Sequence, residues 1–443
     1  MLLHTQMTTI SSGTSLESAT PLDASTPVIT EGCYAVVCKV GGEHMRVVRL
    51  TLNSTVLIEK LKFEAESAFG HPFGIFEVIG KRLVPTTVED LRKRDGEDIE
   101  MAAVAERSDS NGNDAKDGIA PSALDVDTRQ TATEEEILQL KEEGGTASDV
   151  VSRLVEGNAS FATRTTYAKS KYIRRKTRKH SDRVLILKPT VRLLCESYLK
   201  KDSDRAGNLR IDQLAQIVYL GAVHVGRKVM VFDQVLGLVS AAVVERLAGA
   251  GACIHLHRGT MPQSIPAFNA MTFKQEELAT FFPIQIDSVL NGFVQVEQPA
   301  KAEKMETGEG DARPDRDPAT TAAAAARRTE RLDREKAGLD MANGGVDTLL
   351  IAIRSVEPVS LLEVLWPKLR PAGNVVVYSP TVEHCIRAQQ WLRAAGTIHI
   401  NFSDQMYRVH QVLPDRTHPL MSQSVVGGYV LAGIKIQDPV PTS

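Results

Sequence analysis

The sequence lacks most of the short patterns by which a chain announces chemistry. Its 443 residues contain no HExxH, no GxSxG, no Walker loop and no paired-carboxylate constellation. Five cysteines (Cys33, Cys38, Cys195, Cys253, Cys385) are scattered without a CxxC pair, which argues against a disulfide framework and against structural zinc. That usage predicts a reduced, intracellular protein. No window of about 18 uncharged apolar residues is present to span a bilayer. The opening MLLHTQMTTISSG lacks the basic start and apolar core of a secretory leader. His255 and His257 share a face at strand spacing, but no third ligand accompanies them, so no metal is expected. What is there is a hydrophobic content of 42%, enough for real cores, and a net charge of −3 that conceals strong local asymmetry.

The texture divides the chain. Residues 1–27 are rich in Ser and Thr and predict a disordered tail. CYAVVCKV, MRVVRLTL, STVLIEKL and GIFEVIGKRLVP are β-branched runs broken by Gly, Asn and Pro, which predict a small antiparallel β-barrel over 28–100. Residues 101–130 read as a flexible insert. A capping box at Thr133 (TEEE) starts a helix, and Ser148 or Asp149 caps a second, SDVVSRLVEG. These open a helical and basic connector over 131–199, which ends in the strand-like VLILKPT.

From 200 to 437 the chain alternates helix and strand: RIDQLAQIVYLG, KVMVFD, LVSAAVVERLAG, ACIHLH, with FPIQIDSVL as a further strand. A charged, alanine-rich tract at 299–340, partly helical, interrupts before VDTLLIAI, VSLLEVLWPKL, NVVVYSP, EHCIRAQQWLRAAG and TIHI. Residues 438–443 form a tail. This alternation predicts an α/β, Rossmann-like, doubly wound and mostly parallel sheet, closed by YRVHQVLPDRTHP…GGYVLAGIKI as an antiparallel edge.

Three features bear on function. First, a cofactor turn after the strand KVMVFD needs bare glycine backbone, but the turn DQVLGLVS offers Val235, Leu236 and Leu238 around the single Gly237. The second strand ends in HLHRG where a ribose-binding acid belongs. Two independent requirements fail together, which favours a scaffold kept for packing and assembly. Second, eight Lys and Arg residues crowd positions 169–183 against the one acid Asp182, with Tyr167 and Tyr172 interleaved. Such density suits a polyanion, since each phosphate contact releases counterions, though a nuclear import signal or a solvated face would look alike. Third, Arg354 closes the strand VDTLLIAIR at the edge where doubly wound sheets bind ligands, as a phosphate clamp or as an ordinary surface arginine. The stiff loop VLPDRTHP either presents Arg416 and His418 or merely joins strands.

The stretch LRIDQLAQIVYLGAVHVGRKVMVFDQVLG resembles the cofactor-domain entry of the tRNA adenine-58 N1-methyltransferases. HPFGIFEVIG, SDVVSRLVEGNASFATRTTYAKSKYIRRK, LILKPTVRLL, NVVVYSP and QVLPDRTHP…GGYVLAGIKI resemble more closely the family of non-catalytic, tRNA-binding subunits of the eukaryotic enzyme. The likeness extends over about residues 28–100 and 131–437. It implies a β-barrel followed by a Rossmann-like methyltransferase fold without the cofactor loop. It also implies a nuclear, two-plus-two heterotetramer with a catalytic subunit that holds S-adenosylmethionine, and no catalytic, cofactor or metal residues in this chain. IRSVEP stands where the catalytic paralogue has an Asp-Leu-Pro-type motif, so Arg354 lies near the place of the catalytic aspartate.

The tRNA-binding residues implied by the resemblance start in the basic run, at Lys169, Lys171, Tyr172, Arg174, Arg175, Lys176, Thr177, Arg178, Lys179 and His180. Lys200, Lys201, Arg205 and Asn208 precede RIDQL, and Arg327 and Arg328 lie in the alanine-rich tract. Arg354, Arg393, Gln411, Arg416, Thr417 and His418 complete the set. A self-sufficient S-adenosylmethionine-dependent RNA methyltransferase with a divergent loop is the rival expectation. A general RNA-binding protein on a decayed Rossmann scaffold is a third.

Overall fold

The computed structural model describes residues 27–40, 44–86, 131–142, 147–158, 182–259, 263–294, 318–412, 417–421, 423 and 427–436, with single positions between 160 and 180. The expected tails, the insert at 101–130 and the first part of the charged tract lie outside the described residues.

Six short strands open the fold: β1 (Tyr34–Lys39), β2 (Met45–Arg49), β3 (Thr55–Ile58), β4 (Leu61–Glu64), β5 (Gly74–Ile79) and β6 (Arg82–Thr86). STVLIEKL is a hairpin, not one strand, because Glu59 takes a positive φ of 52° and reverses the chain. Gly80, at φ 63°, does the same between β5 and β6. Helices α1 (Glu134–Glu142) and α2 (Ala147–Glu156) follow. The Thr133 hydroxyl accepts from Glu136 N at 3.2 Å, the expected cap. Ser148 and Asp149 fall within the first turn of α2, not ahead of it. Arg153 of α2 pairs with Glu136 of α1 at 3.2 Å.

The strand VLILKPT becomes β7 (Arg183–Leu187) and enters the centre of an antiparallel sheet in the order β2-β1-β7-β5-β6. The expected small β-barrel is therefore corrected. Among the described residues this sheet is open, with β2 and β6 at its two ends, and the β3–β4 hairpin is a separate sheet packed against it. A core of Ile29, Val37, Leu50, Phe63, Phe76 and Ile186, all essentially solvent-free, lies between them.

The C-terminal part runs α3 (Val191–Lys201), α4 (Ile211–Leu220), β8 (Lys228–Asp233), α5 (Leu238–Leu247), β9 (Ala252–His257), α6 (Pro266–Ala270), α7 (Gln275–Leu278), β10 (Phe281–Gln285) and α8 (Ile286–Asn291). Then come α9 (Pro318–Asn343), β11 (Val346–Ala352), α10 (Pro358–Leu365), β12 (Leu369–Ser379), α11 (Val382–Ala394), β13 (Ile398–Asp404), β14 (His410–Gln411), β15 (His418–Pro419) and β16 (Tyr429–Ile434). FPIQIDSVL divides into β10 and α8. The sheet order is β10-β9-β8-β11-β12-β16-β13, with the first five strands parallel. Strands KVMVFD and ACIHLH are buried almost throughout, as strands covered by helices on both faces must be. This is the expected Rossmann-like, mixed sheet, with one correction. The antiparallel strand β16 is inserted between β12 and the outer strand β13, not laid on the edge. The reason is visible in the chain: a connection of about two dozen residues leaves β13 and lets β16 return inside it.

Candidate nucleic-acid interface and a closed crevice

In a parallel sheet the loops leaving the carboxyl ends of the strands meet along one edge, which is where ligands bind. The turn after β8 stands at the centre of that edge. Asp233 is buried, and its carboxylate accepts from Val235 N at 2.8 Å, Gly237 N at 3.1 Å and Ser240 N at 3.0 Å. Burial pushes its pKa up, while these backbone N–H groups pull it back. The free N–H groups at the start of α5 are thus satisfied from within the chain.

Apolar side chains fill the space above. Val235 and Leu238 are fully buried, and Leu236, at a positive φ of 64°, is 9% exposed. A Cβ on Gly237 would stand 2.7 Å from Cβ of Ile265, so residues ahead of α6 press directly on the turn. From the other side, a Cβ on Gly207 would stand 2.9 Å from Cγ1 of Val235. Leu236 O accepts from Ala267 N at 3.1 Å, and Gln263 Nε2 donates to Asp233 O. Gln234 bridges to the loop that leaves β11, accepting from Arg354 N at 3.0 Å and Ser355 N at 3.3 Å.

Below the turn, His255 is solvent-free. Its Nδ1 meets Ser240 Oγ at 2.8 Å, its ring packs on Phe281, and its Nε2 lacks a hydrogen-bond partner. Burial drives its pKa down to about 3. An adenine cofactor would need bare amides and open volume here. The residues present offer neither and do not fit it. Among the described residues no group of His, Cys, Asp and Glu could hold a metal ion. No described helix is long and apolar enough to cross a membrane.

The topology sorts the expected RNA contacts. Lys200 and Lys201 end α3, and Arg205 and Asn208 lie in the loop that touches Val235 through Gly207. Arg205 is exposed and pairs loosely with Asp202 at 3.6 Å, whereas Asn208 takes a positive φ of 54° and serves the turn itself. The Arg354 side chain is exposed on the same edge. Glu335 of α9 is fixed there too, accepting from Gln285 N at 3.1 Å and Ser288 Oγ at 2.8 Å. Arg327 and Arg328, two turns earlier, therefore project about 11 Å past the strand ends at 1.5 Å per residue.

Gln411 and His418 face each other across the β14–β15 pair, Nε2 to Nε2 at 3.3 Å, next to Thr417. A shallow depression lined by Arg408, His418, Leu420, Met421 and Gln423 adjoins them. Arg393 is the exception: it ends α11, which runs back to the opposite edge of the sheet.

The basic run is organised separately. Lys169, Tyr172, Arg175, Lys176, Thr177 and His180 are helical, while Lys171, Arg174, Arg178 and Lys179, like Arg416, lie outside the described residues. Tyr172 is half-buried. Its ring packs on Phe161 at 5.6 Å and its hydroxyl donates to Leu154 O at 3.4 Å. Arg164 and Lys176 lie over that ring at 5.0 and 5.4 Å, and Lys169 lies 5.9 Å from Phe161. The tyrosine is an anchor that docks the cationic helix on α2, with cations arrayed over its faces.

Sequence reasoning missed a buried polar group at the same edge: Arg210, Gln213 and Tyr378, with Gly427 and Gly428 opposite. The available signal was RIDQ at a helix start together with the GG that follows the VLPDRTHP loop.

The Gcd10p family model matches residues 28–319, more than half of the chain. The chain belongs to the Gcd10p family. Among curated relatives, the tRNA (adenine(58)-N(1))-methyltransferase non-catalytic subunit of Dictyostelium discoideum is 28% identical, over 94% of this chain and 81% of its own length. The subunit of the same name from Mus musculus is 27% identical, over 88% and 85%. Among solved structures, the tRNA (m1A58) methyltransferase TrmI of Aquifex aeolicus is 10% identical, with a TM-score of 0.44, covering 93% of this chain and 100% of that one. Membership of the Gcd10p family agrees with the resemblance read from the motifs.

Proposed function

We propose that this chain is the non-catalytic subunit of a tRNA adenine-58 N1-methyltransferase. It grips tRNA and assembles with a catalytic subunit that carries S-adenosylmethionine, two copies of each, in the nucleus. One observation carries the non-catalytic part: Val235, Leu236, Leu238 and Ile265 pack the turn where a cofactor would lie. The family and the names of the relatives support the same reading. The grip is supported by two cationic zones, the helix docked on α2 and the strand-end edge that gathers Lys200, Lys201, Arg205, Arg327, Arg328 and Arg354. A base folded into RNA has to be unstacked to be methylated, and a broad composite grip suits that task. The basic run also suits nuclear import; its neutralisation should leave a tagged chain in the cytoplasm, and unchanged nuclear signal would sink that point.

The test is capture of the partner by this chain, followed by methylation of tRNA with each component alone and both together. Activity only in the combination is expected. Turnover by this chain alone would favour the self-sufficient enzyme. Absence of any methyltransferase partner would favour the general RNA-binding protein.

A further inference from the structure

The connection between β13 and β16 carries Gln411, Thr417 and His418 on the small β14–β15 hairpin, and both of its ends are held by one turn of helix. Arg210, 4% exposed, grips Asp212 through Nε and Nη2, both at 2.9 Å, and also donates from Nη2 to Gln405 O, just after β13. Gln213, fully buried, donates through Nε2 to Gly428 O, just before β16. Its Oε1 accepts from Gly428 N and Arg210 N, each at 3.3 Å. A Cβ on Gly427 would fall on Arg210 and 2.7 Å from Gln213 Oε1, so the close approach needs glycine. Tyr378, at the end of β12, adds the third tie: its hydroxyl donates to Gly207 O at 2.8 Å, inside the loop that carries Arg205 and Asn208.

A buried charge is costly unless paired and fully hydrogen-bonded, and apolar residues of similar size generally stabilise as well. Burying an arginine here therefore makes sense for what it fixes in place. Within the hairpin, Leu420 N donates to Val409 O at 2.9 Å, and Gln423 accepts from Val409 N at 2.7 Å. The described residues of the hairpin are thus bonded to one another, and the connection is fixed at Gln405 and Gly428 by the Arg210–Gln213 clasp.

We propose that Arg210 and Gln213, with Tyr378, are positioning residues that hold the β14–β15 hairpin and the 202–209 loop as one rigid, RNA-contacting unit at the strand-end edge. The inference rests on the tRNA-binding reading above. A unit ordered in advance loses less conformational entropy when the polyanion binds. None of the three residues needs to touch RNA.

The test uses the full chain with Arg210→Lys, which keeps the charge but loses the planar fork. Tyr378→Phe removes only the hydroxyl and serves if the first variant folds poorly. Hydrogen exchange without RNA should quicken about tenfold, at Val409 and Leu420 in Arg210→Lys and across 203–209 in Tyr378→Phe, while β8 and β11 stay unchanged. Binding of a purified tRNA, titrated over salt, should weaken about five- to tenfold in Arg210→Lys, with a shallower slope because the exposed Arg408, carried on the same connection beside His418, is then no longer held to neutralise a phosphate. Unchanged local exchange, or faster exchange with wild-type tRNA affinity, overturns the inference alone. A wild-type chain that binds no tRNA overturns the functional reading instead, whatever the exchange shows.

Discussion

Gly237→Ala measures directly whether the crevice after β8 is filled. Gly237 sits at φ 81°, where an alanine side chain costs about 1–2 kcal/mol. The new Cβ would lie 2.7 Å from Cβ and 3.3 Å from Cα of Ile265. Those atoms cannot swing away as a side-chain tip could, so overpacking adds about 1–3 kcal/mol. Stiffening of the unfolded chain returns about 0.4–1 kcal/mol. The net loss should be about 2–4 kcal/mol. Denaturant unfolding read by tryptophan fluorescence suits the measurement, because the only two tryptophans, Trp366 and Trp391, pack edge to face within this part of the fold. Repeating it in an Ile265→Gly background removes both the Cβ and the Cγ2 that crowd the new methyl, and the cost of Gly237→Ala should then fall to about 1 kcal/mol. A loss of 1 kcal/mol or less in the wild-type background would mean that Ile265 does not close the turn.

Replacing Arg174, Arg175, Lys176, Arg178 and Lys179 by alanine should weaken tRNA binding and lower its salt slope by about 0.7–0.9 for each phosphate no longer neutralised; an unchanged slope would remove the run from the grip. Arg354→Glu should impair methylation by the assembled complex while co-purification with the partner persists, and normal turnover would make Arg354 a bystander. His255 predicts a pH effect. Its folded pKa, about 3, lies below the ordinary 6.5, so the unfolded chain takes the proton first. The stability it secures is complete above pH 6.5 and drains as pH falls toward 3, by about 2 kcal/mol at pH 5. His255→Gln should lack that component, and identical pH profiles of stability would refute it.

The C-terminal fold was legible because its central strands are buried on both faces and its helices carry helical spacing, signals that live within ten residues of sequence. The N-terminal closure was not, since β7 comes from residues 183–187 and pairs with β1 and β5 more than a hundred residues earlier. Strand pairing at that range leaves no local mark. The insertion of β16 inside β13 was hidden for the same reason. At the site, the loss of glycines in DQVLGLVS could be read directly. What fills the space could not, because Ile265 and Gly207 arrive from other loops. Tyr172 stood out as an aromatic among cations, but only the neighbouring Phe161 and Leu154 reveal it as an anchor. Arg210 and Gln213 looked like an ordinary helix start, and their partners Gln405 and Gly428 lie about two hundred residues away.

The central claim is that this Gcd10p-family chain kept a cofactor-binding fold and closed its cofactor site. Calorimetric titration of S-adenosylmethionine into the isolated chain tests that most directly. The packed turn predicts no saturable heat at any concentration at which the assembled complex binds the cofactor. Saturable micromolar binding by the chain alone would contradict it.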